Sequence, residues 1–338
     1  MKILKNQSLI EFNTFKVAAK ANEVVLLERS EDYSELLKLI DFKKNKFFIL
    51  GEGSNILFTK DFNGTLIKPQ LSGLSIIKED TQNSWLKVEA GLNWHNLVLR
   101  TIEMGLQGLE NLSFIPGTVG AAPVQNIGAY GVEIKQFIEQ VEALDLRGGE
   151  LFYFDAKDCE FDYRSSIFKT KYRGRFLIKS VTFKLNKVPK YNISYGQVKE
   201  ALHNLGYATI NAKNISDAII HIRRNKLPDP KDIGNAGSFF KNPILDRADY
   251  EGLKAEFPGI NVFQIDKENF KISAAWLIES CGWKGKNKGH AGVYHKQPLV
   301  LINQNKARGK DILALSKRIQ DDVANKFGIL LQPEVNIL

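Results

Sequence analysis

Cysteine is scarce in this 338-residue chain: Cys159 and Cys281 are the only two. Neither has a partner at C-x-x-C spacing, and no H-E-x-x-H is present, so no metal site is expected. Without a disulfide framework, a reducing cytoplasm is the natural compartment. Long apolar runs are missing as well. None approaches the roughly 20 residues that span a bilayer, so no membrane partner is expected. The opening Met1-Lys2-Ile3-Leu4-Lys5-Asn6-Gln7 is broken by Lys and Asn and lacks a secretory h-region. Internal repeats and low-complexity linkers are also absent. The net charge of +9 comes from lysines scattered along the chain, with short stretches such as Lys284 to Lys288. No long basic tail or nucleic-acid motif accompanies them, so no nucleic-acid partner is expected. A basic surface still draws in anionic, phosphorylated ligands.

What is present describes an ordinary globular protein of two or three domains, with 43% hydrophobic and 25% charged residues. Residues 23–50 read as strand, helix, strand: β-rich Val24 to Leu27, amphipathic Tyr33 to Ile40, then Phe47 to Leu50. A glycine-bearing loop, Gly51-Glu52-Gly53-Ser54-Asn55, follows and leads into apolar Ile56-Leu57-Phe58. Trp85 to Val88 reads as a strand and Asn93 to Met104 as a helix. Leu109 to Glu133 reads as a long functional loop. Val141 to Phe154 reads as a hairpin turning at Arg147-Gly148-Gly149, and Phe176 to Leu185 as a strand. Helices are expected over 214–226, 272–281 and 311–327, and strands over 295–303 and 329–337.

Four stretches carry chemical interest. In Gly51 to Asn55, two glycines let backbone approach a ligand and present N–H groups to phosphate, while Ser54 and Asn55 add side-chain donors. The third glycine of G-x-G-x-x-G is missing and the pattern predicts a strand after it, so the loop is not a Rossmann fingerprint. Alone, it reads as a plain β-turn before a phosphate loop. The second stretch runs Ile115-Pro116-Gly117-Thr118-Val119-Gly120-Ala121-Ala122-Pro123, then Gln125-Asn126-Ile127-Gly128-Ala129-Tyr130-Gly131. Its small residues and polar side chains suit a pyrophosphate and the polar edge of a flavin, or a tightly packed structural loop. In the third, Gly234 to Pro243, Ser238 lies between small residues and an aromatic pair. Its hydroxyl can give up a proton only if the alkoxide is stabilised or quickly reprotonated. The same stretch also reads as a glycine turn closing onto a strand. The fourth candidate set is Arg164, among aromatic and apolar neighbours, with Glu334 in an apolar C-terminal segment; either could be a plain ion-pair residue.

Taken together, these stretches resemble the UDP-N-acetylenolpyruvoylglucosamine reductase family. The matching blocks run in order through Asn13-Thr14-Phe15, Gly51–Phe58, Gly108–Gly131, Tyr163–Lys169, Lys226–Lys231, Gly234–Pro243 and Pro333–Val335. The resemblance implies an α+β protein with a two-subdomain FAD-binding fold of the vanillyl-alcohol-oxidase type and an α+β substrate-binding domain. On that basis residues 1–67 and 68–200 form the two flavin subdomains and 201–327 the substrate domain, with the tail 328–338 packing back near the active site. The first loop has no His or Cys, so FAD should be noncovalent, with NADPH as co-substrate.

Carried over by motif, Ser238 is the proton donor, with Arg164 and Glu334 assisting at the enolpyruvyl carboxylate. The cofactor set is Gly51, Gly53, Ser54, Asn55, Pro116, Gly117, Thr118, Gly120, Ala121, Gln125, Asn126, Gly128, Ala129 and Arg223. Tyr163, Tyr195, Lys226, Asn242 and Gln297 match positions expected to contact the sugar nucleotide. Tyr195, in Ile193-Ser194-Tyr195-Gly196, resembles the tyrosine loop of the longer family subtype. Ala121-Ala122 stand where some relatives carry small hydroxyl residues, and the basic loop Trp283 to His290 has no mechanistic explanation. The expected reaction is reduction of UDP-N-acetylglucosamine enolpyruvate to UDP-N-acetylmuramate by a monomer. Competing readings are an oxygen-using flavin oxidase, a nucleotide-binding protein without turnover and, third, a nucleic-acid binder.

Overall fold

The computed structural model describes residues 1–304 and 306–338. The chain divides into two compact units: Met1–Gln7, Ala21–Glu52 and Asn63–Asn225 form the first; Ser8–Lys20, Gly53–Phe62 and Lys226–Leu338 form the second. Both mix helices with mainly antiparallel sheets, an α+β architecture. The division follows packing, and the three functional parts expected from sequence have different limits.

The first unit holds two sheets. One has the strand order Lys2–Ser8, Lys20–Leu27, Phe62–Pro69, Phe47–Ile49. The other is a five-stranded antiparallel sheet ordered Leu151–Asp155, Ile138–Asp145, Phe176–Asn186, Asn83–Glu89, Leu74–Glu79. Val141 pairs with Val181, which pairs with Val88 in turn. Alternate residues of a strand share a face, so this register stacks apolar side chains on one side of the sheet. Helix Trp94–Glu103 lays Leu97 and Val98 onto that layer. Asn93 starts the helix, its side-chain oxygen accepting the Asn96 N–H at 3.0 Å. The Trp94 indole is fully buried and donates to the Leu112 carbonyl at 2.8 Å, pinning the start of the long loop. Helix Asp32–Leu39 packs Tyr33 and Leu36 against Val25, Leu27, Leu144 and Leu177. Helices Gly196–Asn204 and Ala212–Lys226 bury Val198, Leu202, Ile215 and Ile219 in a separate cluster.

The second unit is built on the sheet Gly234–Ser238, Val300–Asn303, Ala291–Val293, Asn287–Lys288. Helices Gly309–Phe327 and Ala274–Ser280 contribute Ile312, Leu315, Ile319, Leu277 and Ile278 to its core, beside Phe239 and Phe240. Two short strands far apart in sequence, Ile56–Leu57 and Asn336–Ile337, pair in parallel.

Two expected strands are shorter than the pattern suggested. The 295–303 strand is reduced to Val300–Asn303, because Tyr294 N–H donates to the Val300 carbonyl and closes a turn. Pro298 lies in that turn and has no N–H to give a ladder. The 329–337 strand is reduced to Asn336–Ile337; upstream, Pro333 makes only an isolated bridge with Phe240. Among the described residues, no helix is long and apolar enough to cross a membrane.

Candidate functional site

In the first unit the two glycine loops touch. A Cβ on Gly51 would lie 2.9 Å from Thr118 Oγ1 and 3.6 Å from Ala121 Cβ, so the close approach requires glycine. Gly120 is equally tight: a Cβ there would come within 2.6 Å of Ala90 Cβ. The expectation that the 116–131 loop offers many backbone donors needs correction. Gly117 N–H donates to the Glu52 carboxylate, Val119 to Leu92 O, Gly120 to Ala90 O, Ala121 to Thr118 O and Ala122 to Val119 O. These donors hold the loop onto its own scaffold, as buried backbone must be held. The N–H groups of Gly51 and Glu52, by contrast, donate to no described residue. Thr118 lies beside them, so the three groups have the donor character that a phosphate would take.

Asn126 likewise serves the loop itself. Its buried side chain donates to Glu133 Oε2 and the Asp162 carbonyl, both at 3.0 Å, and accepts the Lys135 N–H at 3.1 Å. Both amide protons and the oxygen are committed, so it shapes the site rather than binding a ligand by its side chain. Gly128 and Ala129 form a short ladder with Val132 and Glu133. Gln125 lies half-buried and Pro116 exposed in the same loop. Arg164 donates from Nη2 to the Gly128 carbonyl at 2.7 Å, and its guanidinium lies 5.6 Å from the centre of the Tyr163 ring. Phe114, Asn126, Tyr130 and Arg164 all have positive φ, between 44° and 60°. Non-glycine residues held there store strain, and such strain gathers at working loops.

Arg223 donates from Nε to the Phe114 carbonyl at 3.0 Å and lies within electrostatic reach of Tyr130. Burial pulls its guanidinium below the usual range, with Tyr130 opposing; burial also pushes the Tyr130 phenol up. Tyr130 meets the exposed Tyr195 edge-to-face, ring centres 5.4 Å apart. Asn111 ties this region together by donating to the carbonyls of Tyr130 and Asn192.

In the second unit, Gly53 has φ 70°, and a Cβ would lie 2.0 Å from the Phe12 carbonyl oxygen. Its own carbonyl accepts the Thr14 N–H. Asn55 joins the C-terminal segment: its Nδ2 donates to the Glu334 carbonyl at 3.3 Å, and its carbonyl accepts the Asn336 N–H at 3.0 Å. Ser54 is half-buried between them. Ser238 ends its strand at a bulge and pairs with Val300. Gly237 before it has φ 67°. Phe239 and Phe240 after it are fully buried, while Ser238 is exposed. The bulge thus turns the hydroxyl outward from a rigid aromatic anchor. Glu334 N–H donates to the Phe239 carbonyl at 2.8 Å, so the segment carrying Glu334 runs alongside.

Gln297 lies in the turn that precedes Val300, its side-chain oxygen accepting the Leu299 N–H at 3.4 Å. Asn242 accepts the Ala274 N–H at 3.0 Å, fixing the helix Ala274–Ser280 to the strand exit. Lys226 is half-buried, and burial pulls its ammonium below the usual range. Ser238, Glu334, Asn242, Gln297, Lys226, Gly53, Ser54 and Asn55 therefore share the second unit, while Arg164, Tyr163, Tyr195, Arg223, Gly51 and the 116–131 loop belong to the first.

Sequence reasoning passed over Glu52, Lys68, Asn93 and His95. Glu52 accepts from Asn93 Nδ2 as well as Gly117, and Lys68 Nζ donates to the Gly51 carbonyl. His95 Nδ1 accepts the Phe114 N–H at 3.1 Å. Burial, then Arg224 and Arg223, push its pKa down. No local pattern announces any of these contacts, because each partner is distant in sequence.

Comparison with known proteins gives concordant results. A family model described as an FAD binding domain matches residues 21–154. One described as UDP-N-acetylenolpyruvoylglucosamine reductase, C-terminal domain, matches residues 229–338. Proteins named UDP-N-acetylenolpyruvoylglucosamine reductase include one from Amoebophilus asiaticus, 46% identical over 338 residues, and one from Flavobacterium johnsoniae, 44% identical over 339; each match covers 100% of both chains. The crystal structure of the reductase of that name from Thermus caldophilus superposes with a TM-score of 0.67 at 23% identity, covering 99% of this chain and 98% of that one, a likeness of fold.

Proposed function

Because the chain belongs to the UDP-N-acetylenolpyruvoylglucosamine reductase family, we propose that it reduces UDP-N-acetylglucosamine enolpyruvate to UDP-N-acetylmuramate at the expense of NADPH. It is an FAD-dependent oxidoreductase. The residues fit the cofactor: a Cβ on Gly51 would crowd Thr118 Oγ1, and the adjoining N–H groups of Gly51 and Glu52 donate to no described residue. With Thr118 and, in the second unit, Ser54 and Asn55, they would hold FAD noncovalently. When bound, the flavin supplies a hydride, taken from NADPH, to C3 of the enolpyruvyl group.

The chain's own task is to make that addition possible. An enol ether resists hydride unless the negative charge growing at C2 and the carboxylate is stabilised as it forms. Arg164 would bind and polarise the carboxylate, with Glu334 assisting. Ser238 would deliver a proton to C2. The observation that carries this reading is the pairing of Glu334 N–H with the Phe239 carbonyl, which sets a carboxylate-bearing segment beside the exposed Ser238. Tyr163, Tyr195, Lys226, Asn242 and Gln297 would take the sugar nucleotide and its diphosphate. The division into flavin parts 1–67 and 68–200 and substrate part 201–327, the tail 328–338 near the active site, the monomeric state and a cytoplasmic location belong to the same proposal. Its test is NADPH consumption by the purified yellow protein. Turnover that requires the enolpyruvyl sugar nucleotide supports the reading, and oxidation of NADPH or an alcohol by oxygen alone refutes it.

A further inference from the structure

A carboxylate is electrostatically out of place in a loop that presents N–H groups to a diphosphate, yet Glu52 stands between Gly51 and Gly53. Its oxygens are already engaged. One accepts from Asn93 Nδ2, and the other accepts the Gly117 N–H at 2.9 Å. Gly117 has φ 133°, a conformation that suits glycine and turns its N–H out of the local ladder. The Asn93 side-chain oxygen meanwhile caps helix Trp94–Glu103. A single carboxylate thus joins the turn after Phe47–Ile49, the start of a helix and the turn opening the second glycine loop. The positive end of that helix favours an anion here. Lys68 Nζ donates to the Gly51 carbonyl on the other side; burial pulls this ammonium down, and the charge of Glu52 pushes it back up.

We propose that Glu52 is a positioning residue for flavin binding: its carboxylate holds the two glycine loops at the spacing the cofactor needs, with Lys68 offsetting its charge. The inference rests on the FAD reading and extends it to a side chain that need not touch the cofactor.

The test uses apoprotein from the wild type, Glu52→Gln and Glu52→Ala, each titrated with FAD by flavin fluorescence. Hydrogen exchange at the Gly117 amide is measured on the same samples, with their unfolding temperatures. Glu52→Ala should weaken FAD binding about 10- to 100-fold, the scale of a lost charge-assisted hydrogen bond, and speed exchange at Gly117. Glu52→Gln, which keeps one acceptor oxygen, should recover part of the affinity. Glu52→Ala affinity within twofold of wild type, or unchanged Gly117 protection, would overturn the proposal. So would equal losses in both variants that track their unfolding temperatures, since that marks a general structural role. Wild-type protein that takes up no FAD would instead overturn the flavin reading, and this inference with it.

Discussion

Glu334 donates its backbone N–H to the carbonyl of Phe239, at 2.8 Å, one residue beyond Ser238. The chain returns across 95 positions to make this contact, and Lys241 N–H to Gln332 O extends it in the same direction. The pair is therefore set by main chain rather than by mobile side chains, and it sits on the buried Phe239 and Phe240 rings. Rigid backbone of this kind is what the proposed proton donor and its assisting carboxylate require.

Replacing Ser238 by Ala should leave flavin reduction by NADPH near normal and slow reoxidation by the enolpyruvyl substrate about a hundred- to a thousand-fold. Glu334→Gln should act on the same second step. Anaerobic stopped-flow kinetics separates the two half-reactions. Equal slowing of both would show that Ser238 is not the proton donor.

Asn126→Ala should destabilise the protein by about 1–3 kcal/mol, since it takes the acceptor from the Lys135 N–H and one donor each from Glu133 Oε2 and the Asp162 carbonyl, which keep Lys135 Nζ and the Ser165 N–H. Urea unfolding of the apoprotein measures this directly. A loss below about 0.5 kcal/mol would mean that the loop satisfies itself without this side chain.

Gly53→Ala should be more damaging, at about 3 kcal/mol or more, because the new methyl meets the Phe12 carbonyl and the backbone sits at positive φ. Thermal unfolding should show it even where no flavin is bound. A variant as stable as the wild type would mean that Phe12 and Asn13 can shift aside.

His95 should give stability a dependence on mildly acidic pH. Its folded pKa lies below the unfolded value, so between the two the unfolded chain holds more protons. The stabilisation is complete above about pH 6.5 and declines as the pH falls below it. Protonation also removes the acceptor of the Phe114 N–H and places a cation in the first turn of helix Trp94–Glu103. His95→Asn, measured by unfolding free energy against pH, should flatten this slope. An unchanged slope would assign it to other groups.

Much of the fold was legible wherever burial imposes a period. Strand Phe176–Asn186 and helices Asp32–Leu39, Trp94–Glu103, Ala212–Lys226 and Gly309–Phe327 fall close to where their apolar spacing placed them. Strand Leu74–Glu79 was missed because it is a sheet edge with mostly exposed residues, so no alternation marks it. Strand Lys2–Ser8 is exposed along most of its length for the same reason. The glycine loops announced themselves by composition, but composition could not say which N–H groups are spent internally. That Gly117 faces Glu52 while the N–H groups of Gly51 and Glu52 donate to no described residue depends on contacts tens of residues apart.

The parallel pairing of Ile56–Leu57 with Asn336–Ile337 has a consequence for how the molecule is made. A nascent chain exposes apolar Ile56, Leu57 and Phe58 early in synthesis, yet their partner leaves the ribosome roughly 280 residues later, at the rate of translation. Through that interval the early segment must wait, sheltered by a chaperone or by provisional contacts. The second unit therefore cannot be completed before residues 336 and 337 have been made.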